Sequence, residues 1–373
     1  MPTNRGFCPS RKLGIWWFFP FFFSVYLSLF IIAGRNIKIV KPLFINILYT
    51  IAGEPMPDMT ALLHHAVMAP SGHNTQPWKF RIKENTIFIY PEISRRLPVV
   101  DPLERELYIS LGCALENLVI AAEHEGYRAL VGYSFEDGAI SVNLELAEGK
   151  ANNDWLFNAI PIKQSTRRQY DGRPIPGADM ERLASLPLEQ GVSVLFVTEP
   201  EKIEGIIELV KEGNSIQMND RDFMQELISW IRFNEAEANR YRDGLSSKAM
   251  GNPSSPRFIG KLFMKFFLNA KGQSKKDEKH IRSSSVLMVL LSENDDINSW
   301  INTGRSFERL ALCATALGIK NAHINQPCEV PELKKTLQKL LSAGNMHPQL
   351  LLRLGYAESL PRSLRRPVSE VII

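Results

Sequence analysis

Residues 69–78 read APSGHNTQPW. Pro70, Gly72 and Pro77 interrupt the helical pattern of residues 59–68, and a β-like run, Lys79-Phe80-Arg81-Ile82, follows at once. Between the breaks stand small or amide side chains: Ser71, His73, Asn74, Thr75 and Gln76. Two readings stand on residue chemistry alone. A Pro/Gly-framed loop rich in donors at a helix–strand junction suits a planar polar ligand. The same residue types also build an Asx/Ser-rich turn that only caps a helix.

The composition is that of a globular protein, with 45% hydrophobic and 23% charged residues over 373 positions. The net charge of +4 is unevenly placed. Residues 1–53 carry six basic residues and no Asp or Glu, which leaves −2 for the remainder. That remainder has no basic excess of the kind that binds nucleic acid. Cys8, Cys113, Cys313 and Cys328 are scattered without a CxxC or a zinc-like spacing. His64 and His65 are sequential on an expected helix and face different directions, so no metal site is expected. Motifs for a nucleophile elbow (GxSxG), a phosphate loop (GxxxxGK[ST]), a dinucleotide fingerprint (GxGxxG) and a zincin (HExxH) are missing from the sequence.

Residues 13–33, LGIWWFFPFFFSVYLSLFIIA, contain no charge. As a helix at about 1.5 Å per residue they reach roughly 30 Å, the thickness of a bilayer core. A single-pass N-terminal transmembrane helix is therefore expected, within a membrane-anchor extension of residues 1–56 and with the soluble body in the cytoplasm. The competing reading is an over-long translated start, since Met56 and Met59 stand where the globular pattern begins.

In the body, helices are expected at residues 59–68 and 107–124, the second stopping at Gly126. Strands are expected at residues 78–82, 86–90, 192–197, 286–291 and 350–354, with a hairpin turning around Glu136-Asp137-Gly138. Residues 201–279 form a long polar helical insertion that can cover a site as a lid. One pattern recurs: residues 110–127 align with residues 302–319 at a constant offset, matching Gly112 to Gly304, Glu116 to Glu308 and Gly126 to Gly318. Duplication of one α+β unit leaves such a trace. The division expected is a first half, 57–150, and a second half, 151–373, with the insertion inside the second.

Several stretches resemble the nitroreductase superfamily, and within it the Acg-type branch, in which one chain looks like a fused nitroreductase dimer. They are APSGHNTQPWKF (69–80), DPLEREL (101–107), STRRQYDGRPIP (165–176), ELISWIRFN (226–234), RDGL (242–245) and the C-terminal PQLLLRLGYAESLPRSLRRPVSEVI (348–372). The resemblance covers roughly residues 57–373. It implies an α+β fold with mainly antiparallel central sheets flanked by helices, in two related halves. It also implies FMN. The family's ring-binding loop maps onto Pro70, Ser71, Asn74 and Gln76. Its R-x-S/T-x-R phosphate element maps onto Gln164, Thr166 and Arg168, with the first arginine replaced. The family's C-terminal cations map onto Arg365 and Arg366.

The function expected from this resemblance is an FMN-dependent oxidoreductase passing hydride from NAD(P)H to a nitroaromatic or quinone-like acceptor. No acid or base of the chain is assigned to it. The alternative is a flavin-sequestering protein with a lid-covered site and little turnover. Because both halves lie in one chain, one FMN per chain is expected, with no homodimer needed to complete its site.

Overall fold

The computed structural model describes residues 57–133, 139–147, 153–267 and 269–373. The chain divides between Met56 and Pro57, and the described residues all belong to the second unit. Helix α1 (Met59–Ala66) starts at Asp58, whose carboxylate accepts from the amides of Thr60 and Ala61 at 3.0 and 3.1 Å. Strands β1 (Trp78–Lys83) and β2 (Thr86–Pro91) follow, then α2 (Arg105–His124), β3 (Tyr127–Tyr133) and β4 (Ile140–Leu146). Next come α3 (Asp154–Ala159), α4 (Gly177–Ala184) and β5 (Val192–Val197). A helical segment then holds α5 (Pro200–Asn219), α6 (Arg221–Trp230), β6 (Ile231–Arg232), α7 (Glu235–Tyr241), β7 (Leu245–Ser246), α8 (Arg257–Phe267) and α9 (Ala270–Arg282). The remainder comprises β8 (Val286–Ser292), α10 (Ile297–Ala316), β9 (Lys320–His323), α11 (Gln326–Glu329), α12 (Pro331–Leu340), β10 (His347–Gly355) and α13 (Val368–Val371).

Eight of the ten described strands form two four-stranded antiparallel sheets, ordered β1-β2-β4-β3 and β5-β8-β10-β9, and β6 pairs with β7 in parallel. Each sheet has two strands before a 20-residue helix and two after it, and the spatial order is the same in both. Both helices end at a glycine in the left-handed region, Gly126 at φ 89° and Gly318 at φ 75°. Strand β8, VLMVLLS, is buried at every position because its sheet is covered on both faces. Val286, Met288 and Leu290 join the core shared with α2 and α10. Leu287, Val289 and Leu291 alternate into a second core against α5 and α12.

α2 and α10 cross where the repeat places its glycines. A Cβ on Gly112 would stand 3.0 Å from the Cα of Gly304, and the reverse also holds. Each added Cβ would also collide with a carbonyl oxygen of the other helix, that of Ile301 or of Ile109. Those two carbonyls are themselves separated by the same offset as the glycines, so the contact is symmetric. Backbone-to-backbone approach of this kind admits only glycine.

Two expectations change. Among the described residues no helix is long and apolar enough to cross a membrane. This corrects the expectation of a transmembrane helix as part of the fold; residues 13–33, on which it fell, lie outside the described residues. Strand β9, KNAH, was not expected, because a short edge strand of mixed polarity carries no periodic signal. The turn expected at Glu136-Asp137-Gly138 also lies outside the described residues.

Gly112→Ala and Gly304→Ala are each expected to lower stability by at least about 3 kcal/mol, since the obstructing atoms are backbone and cannot rotate away. Gly177→Ala, where an added Cβ meets nothing within 4 Å, is expected to change stability by less than about 1 kcal/mol. Thermal denaturation of the three variants checks the contrast.

Candidate functional site

The loop that follows α1 is held in an unusual backbone path. His73, Asn74 and Gln76 all have positive φ, at 44°, 55° and 54°. Such angles in non-glycine residues persist only where surrounding bonds over-determine them. Those bonds are visible. Asn74 Nδ2 donates to the carbonyls of Gly244 and Leu364 at 3.0 and 3.2 Å. Gln76 Nε2 donates to Arg242 O at 2.9 Å, and its Oε1 accepts from the amide of Arg366 at 2.7 Å. Arg365 donates to Ala69 O, Met68 O and Asn74 Oδ1 at 3.1, 3.2 and 2.9 Å. The Arg366 guanidinium pairs with Glu92 at 2.7 Å.

Asn74, Gln76, Arg365 and Arg366 therefore knot the loop to the C-terminal tail and to residues 242–244. They do not line the large cavity beside the loop. Pro70, Ser71, Gly72 and His73 do. The amides expected to meet a ligand are spent on holding the loop that presents these four residues.

The cavity measures about 830 Å³ and lies within the size range of small-molecule sites. α2 contributes Glu106, Ile109 and Cys113, α10 contributes Phe307, and β10 contributes Leu350 and Arg353. The segment from α5 to α9 supplies an apolar side that includes Phe223, Phe233 and Met264.

Part of the lining is cationic. The segment after α3 runs extended, and Ser165 bridges Asn321 in parallel while Thr166 N donates to Asn321 O at 2.9 Å. Side chains alternate along such a segment, so a one-residue shift exchanges its faces. Ser165 and Arg167 face the cavity. Thr166 is fully buried away from it, and Arg168 reaches Glu358 at the surface at 3.2 Å. Thr166 and Arg168 of the expected frame Gln164, Thr166 and Arg168 thus do not line the cavity. One residue earlier, Lys163-x-Ser165-x-Arg167 has the same cation–hydroxyl–cation spacing, and Lys163 is anchored on Glu308 at 2.8 Å.

Arg353 approaches Arg167 from β10. Its Nη2 donates to Thr166 O and Arg168 O at 3.2 and 2.9 Å, and its guanidinium stacks 4.0 Å from the Tyr170 ring centroid. Its Nη1 has no partner among the described residues. Burial first, then Arg353, holds Arg167 below the usual guanidinium range. No ion pair to a carboxylate is formed by Arg167 or Arg353 among the described residues. Asp277 also lines the cavity, but its carboxylate accepts from the amides of Asn214 and Gln273, each at 2.9 Å. Burial and Arg167 push His73 down to about 4 and His323 to about 3, so both imidazoles are neutral near pH 7. Arg353 is buried and Arg167 half-buried, and guanidiniums so placed without an ion pair among the described residues are costly alone and match a bound anion.

Another part is acidic. Glu106 and Glu329 line it together with Asn325 and Gln217. Sequence reasoning missed Arg167, Arg353 and both glutamates. Arg167 was the nearest to being found, through the shifted triplet, whereas Arg353 sits in an apolar strand sequence that signals only core. Among the described residues no group of three or more His, Cys, Asp or Glu is placed to hold a metal.

No family model matches the chain. A Mycobacterium tuberculosis protein named "Putative NAD(P)H nitroreductase" is 28% identical over 318 residues, covering 82% of this chain and 88% of the relative. Another from that organism, carrying the same name with the suffix acg, is 22% identical over 315 residues, 82% of this chain and 92% of the relative. Among solved structures, an FMN-dependent nitroreductase from Mycobacterium smegmatis in complex with NADPH is 14% identical, at TM-score 0.39, over 58% of this chain and 96% of that one. A nitroreductase with bound FMN from Bacteroides fragilis is 19% identical, at TM-score 0.33, over 54% and 88%. Along most of its length the chain is thus similar to proteins named as putative NAD(P)H nitroreductases, and an Acg-type protein is among these relatives.

Proposed function

We propose that this protein is an FMN-dependent oxidoreductase of the nitroreductase type, taking hydride from NAD(P)H and delivering it to a nitroaromatic or quinone-like acceptor. The observation that carries the reading is the Arg167–Arg353 pair: Arg353 buried and Arg167 half-buried, both facing a cavity of about 830 Å³, and neither in an ion pair among the described residues. Ser165, Arg167 and Arg353 would hold the phosphate, a hydroxyl and two guanidiniums being suited to its oxygens. Pro70, Ser71 and Gly72 would line the ring, with Phe307 supplying apolar contact. When bound, FMN supplies the hydride chemistry, and the protein supplies position, electrostatics and exclusion of water. The relatives' names support NAD(P)H as the reductant.

We further read residues 57–150 and 151–373 as two halves of a fused pair. The shared sheet order and the symmetric Gly112–Gly304 contact support this reading. Lys163-x-Ser165-x-Arg167 belongs to the second half alone, which gives one FMN per chain and a site complete without a partner. A second reading has its own support. Helices of the segment 200–282 line one side of the cavity, as a protein that sequesters flavin with little turnover would require.

Purified protein is expected to be yellow and to release one FMN per chain on denaturation. NADPH added anaerobically is expected to bleach it. Bound FMN that resists bleaching would favour sequestration, and a colourless protein would end both readings.

Arg167→Leu is expected to lose flavin while the ligand-free protein becomes no less stable, because a half-buried cation without an ion pair among the described residues is removed. Arg168→Ala is expected to keep its flavin, since Arg168 meets only Glu358 among acidic groups and is 42% exposed in its side chain. Visible absorbance per chain and thermal denaturation of the two variants check this contrast; flavin retained by Arg167→Leu would remove the assigned phosphate site.

A further inference from the structure

The acidic part of the cavity lining is unused by the phosphate site and is built with care. Glu106, on the first turn of α2, and Glu329, at the end of α11, lie in hydrogen-bond contact. Asn325 Nδ2 donates to Glu106 Oε1 at 2.6 Å, and Gln217 Nε2 donates to Glu329 Oε2 at 2.6 Å. Arg105 Nη2 approaches Glu106 Oε1 at 3.2 Å. Glu106 also presses against the loop that carries Ser71: its Oε2 lies 3.3 Å from the point a Cβ on Gly72 would occupy. Arg353, 1% exposed and with its Nη1 unpartnered among the described residues, lines the same cavity. The cavity is thus lined by both buried acids and guanidiniums.

Two buried carboxyls in contact cannot both ionise without strong repulsion, so the pair retains a proton. Burial pushes both acids up, Glu106 to about 7, and the contact favours the protonated form of Glu106 and the ionised form of Glu329. The two carboxyls therefore share one proton between them, as a coupled pair. The charged and titratable groups facing the pair are Asp101 and Arg105 at the head of α2, Cys328 on α11 and, one step out, Lys334 of α12. Asp101 is pushed up to about 6 by burial and by Glu106, and Cys328 to about 12 by burial. Near neutral pH Cys328 stays a neutral thiol and Asp101 is mostly ionised, so its charge adds to the pressure that keeps a proton on the pair, while Arg105 remains cationic.

We propose that Glu106 and Glu329 hold one shared proton at the cavity wall and deliver it to an oxygen of the electron acceptor during its reduction. The proposal rests on the oxidoreductase reading above. A quinone reduced to a hydroquinone takes up one hydride equivalent and one proton, and a nitro group reduced to nitroso plus water has the same balance. NAD(P)H is oxidised and supplies the hydride. The O–H bond of Glu106 breaks, its electron pair stays on the carboxylate, and a new O–H bond forms on the acceptor oxygen. Arg105 and Asn325 stabilise the carboxylate left behind, and solvent returns the proton.

The test begins without turnover, by infrared spectroscopy on ligand-free protein. Wild type minus Glu106→Gln is expected to show the carbonyl stretch of one protonated carboxylic acid below about pH 7, fading as pH rises further. Because Glu106 also raises Asp101, the same difference taken in an Asp101→Asn background assigns the band to Glu106. Linkage supplies a second readout. Because the folded-state value of Glu106 is raised above 4.5, its contribution to stability is present below that value and is lost as pH rises through about 7. Wild type should therefore lose melting temperature between about pH 5 and about pH 8 more steeply than Glu106→Gln. In rapid mixing with menadione, reoxidation of NADPH-reduced wild type should slow as pH rises through about 7. The variant should be slower by about a hundredfold at pH values below this and nearly pH-independent. No difference band, or a variant with wild-type reoxidation and an unchanged pH profile, would overturn the proposal. If Glu106→Gln does not fold, Glu329→Gln takes its place in all three measurements. A colourless protein would defeat the oxidoreductase reading and with it delivery to an acceptor, while the infrared band would still decide whether the pair holds a proton.

Discussion

Two helix backbones touch at Gly112 and Gly304, and most of the site is arranged around that crossing. Close approach brings the helices' other side chains within reach of one another. Glu116, 1% exposed, accepts from Arg305 at 3.0 Å and Arg309 at 2.6 Å. Its repeat counterpart Glu308 instead takes Lys163 at 2.8 Å. That ion pair fixes the start of the extended segment whose next inward residues are Ser165 and Arg167. The helix crossing thus positions the cationic lining of the cavity through two named contacts. A larger residue at either glycine would push the helices apart and loosen the chain of contacts leading to Arg167.

Tension is held elsewhere by the C-terminal tail. The loop of residues 69–78 carries its positive φ values because Arg365 and Arg366 satisfy its carbonyls and its amide side chains from outside. Arg365 is half-buried, and desolvation lowers it to about 10. Its charge is stabilised by carbonyl oxygens and by the nearby Glu308. The arginines that resembled phosphate ligands by sequence thus serve the wall of the cavity, and the guanidiniums facing its interior come from the 163–167 segment and from β10. This division suits a rigid site: the loop is set before any ligand arrives, and the cations stay free for one.

Much of the fold was legible because its strands are short apolar runs of the right period. Residues 192–197 match β5 at both ends, and β8 was recognisable as a continuous apolar stretch. The α2–α10 pair was legible through the repeated glycines and the shared C-terminal stops. The site was less legible for a physical reason. A resemblance aligned by residue type does not decide which face of an extended segment points inward, and the slip between Arg167 and Arg168 reverses it. Arg353 and Glu329 lie far in sequence from Arg167 and Glu106, and only the fold brings them to one cavity. Asn74 and Gln76 had the right chemistry for a ligand, but the sequence does not show that Gly244, Arg242 and Arg366 already occupy those amides.

The central claim is that an anionic group of the ligand is held by Arg167 and Arg353 inside a single chain. Equilibrium binding of FMN and riboflavin to flavin-free wild type and to Arg167→Leu tests it most directly, because the two flavins differ only by the phosphate. Wild type is expected to prefer FMN by at least about tenfold, the scale of a charge-assisted hydrogen bond. Arg167→Leu is expected to lose most of that preference while binding riboflavin nearly as well as before. Equal affinity of wild type for both flavins, or a preference for FMN that survives the loss of Arg167, would contradict the account.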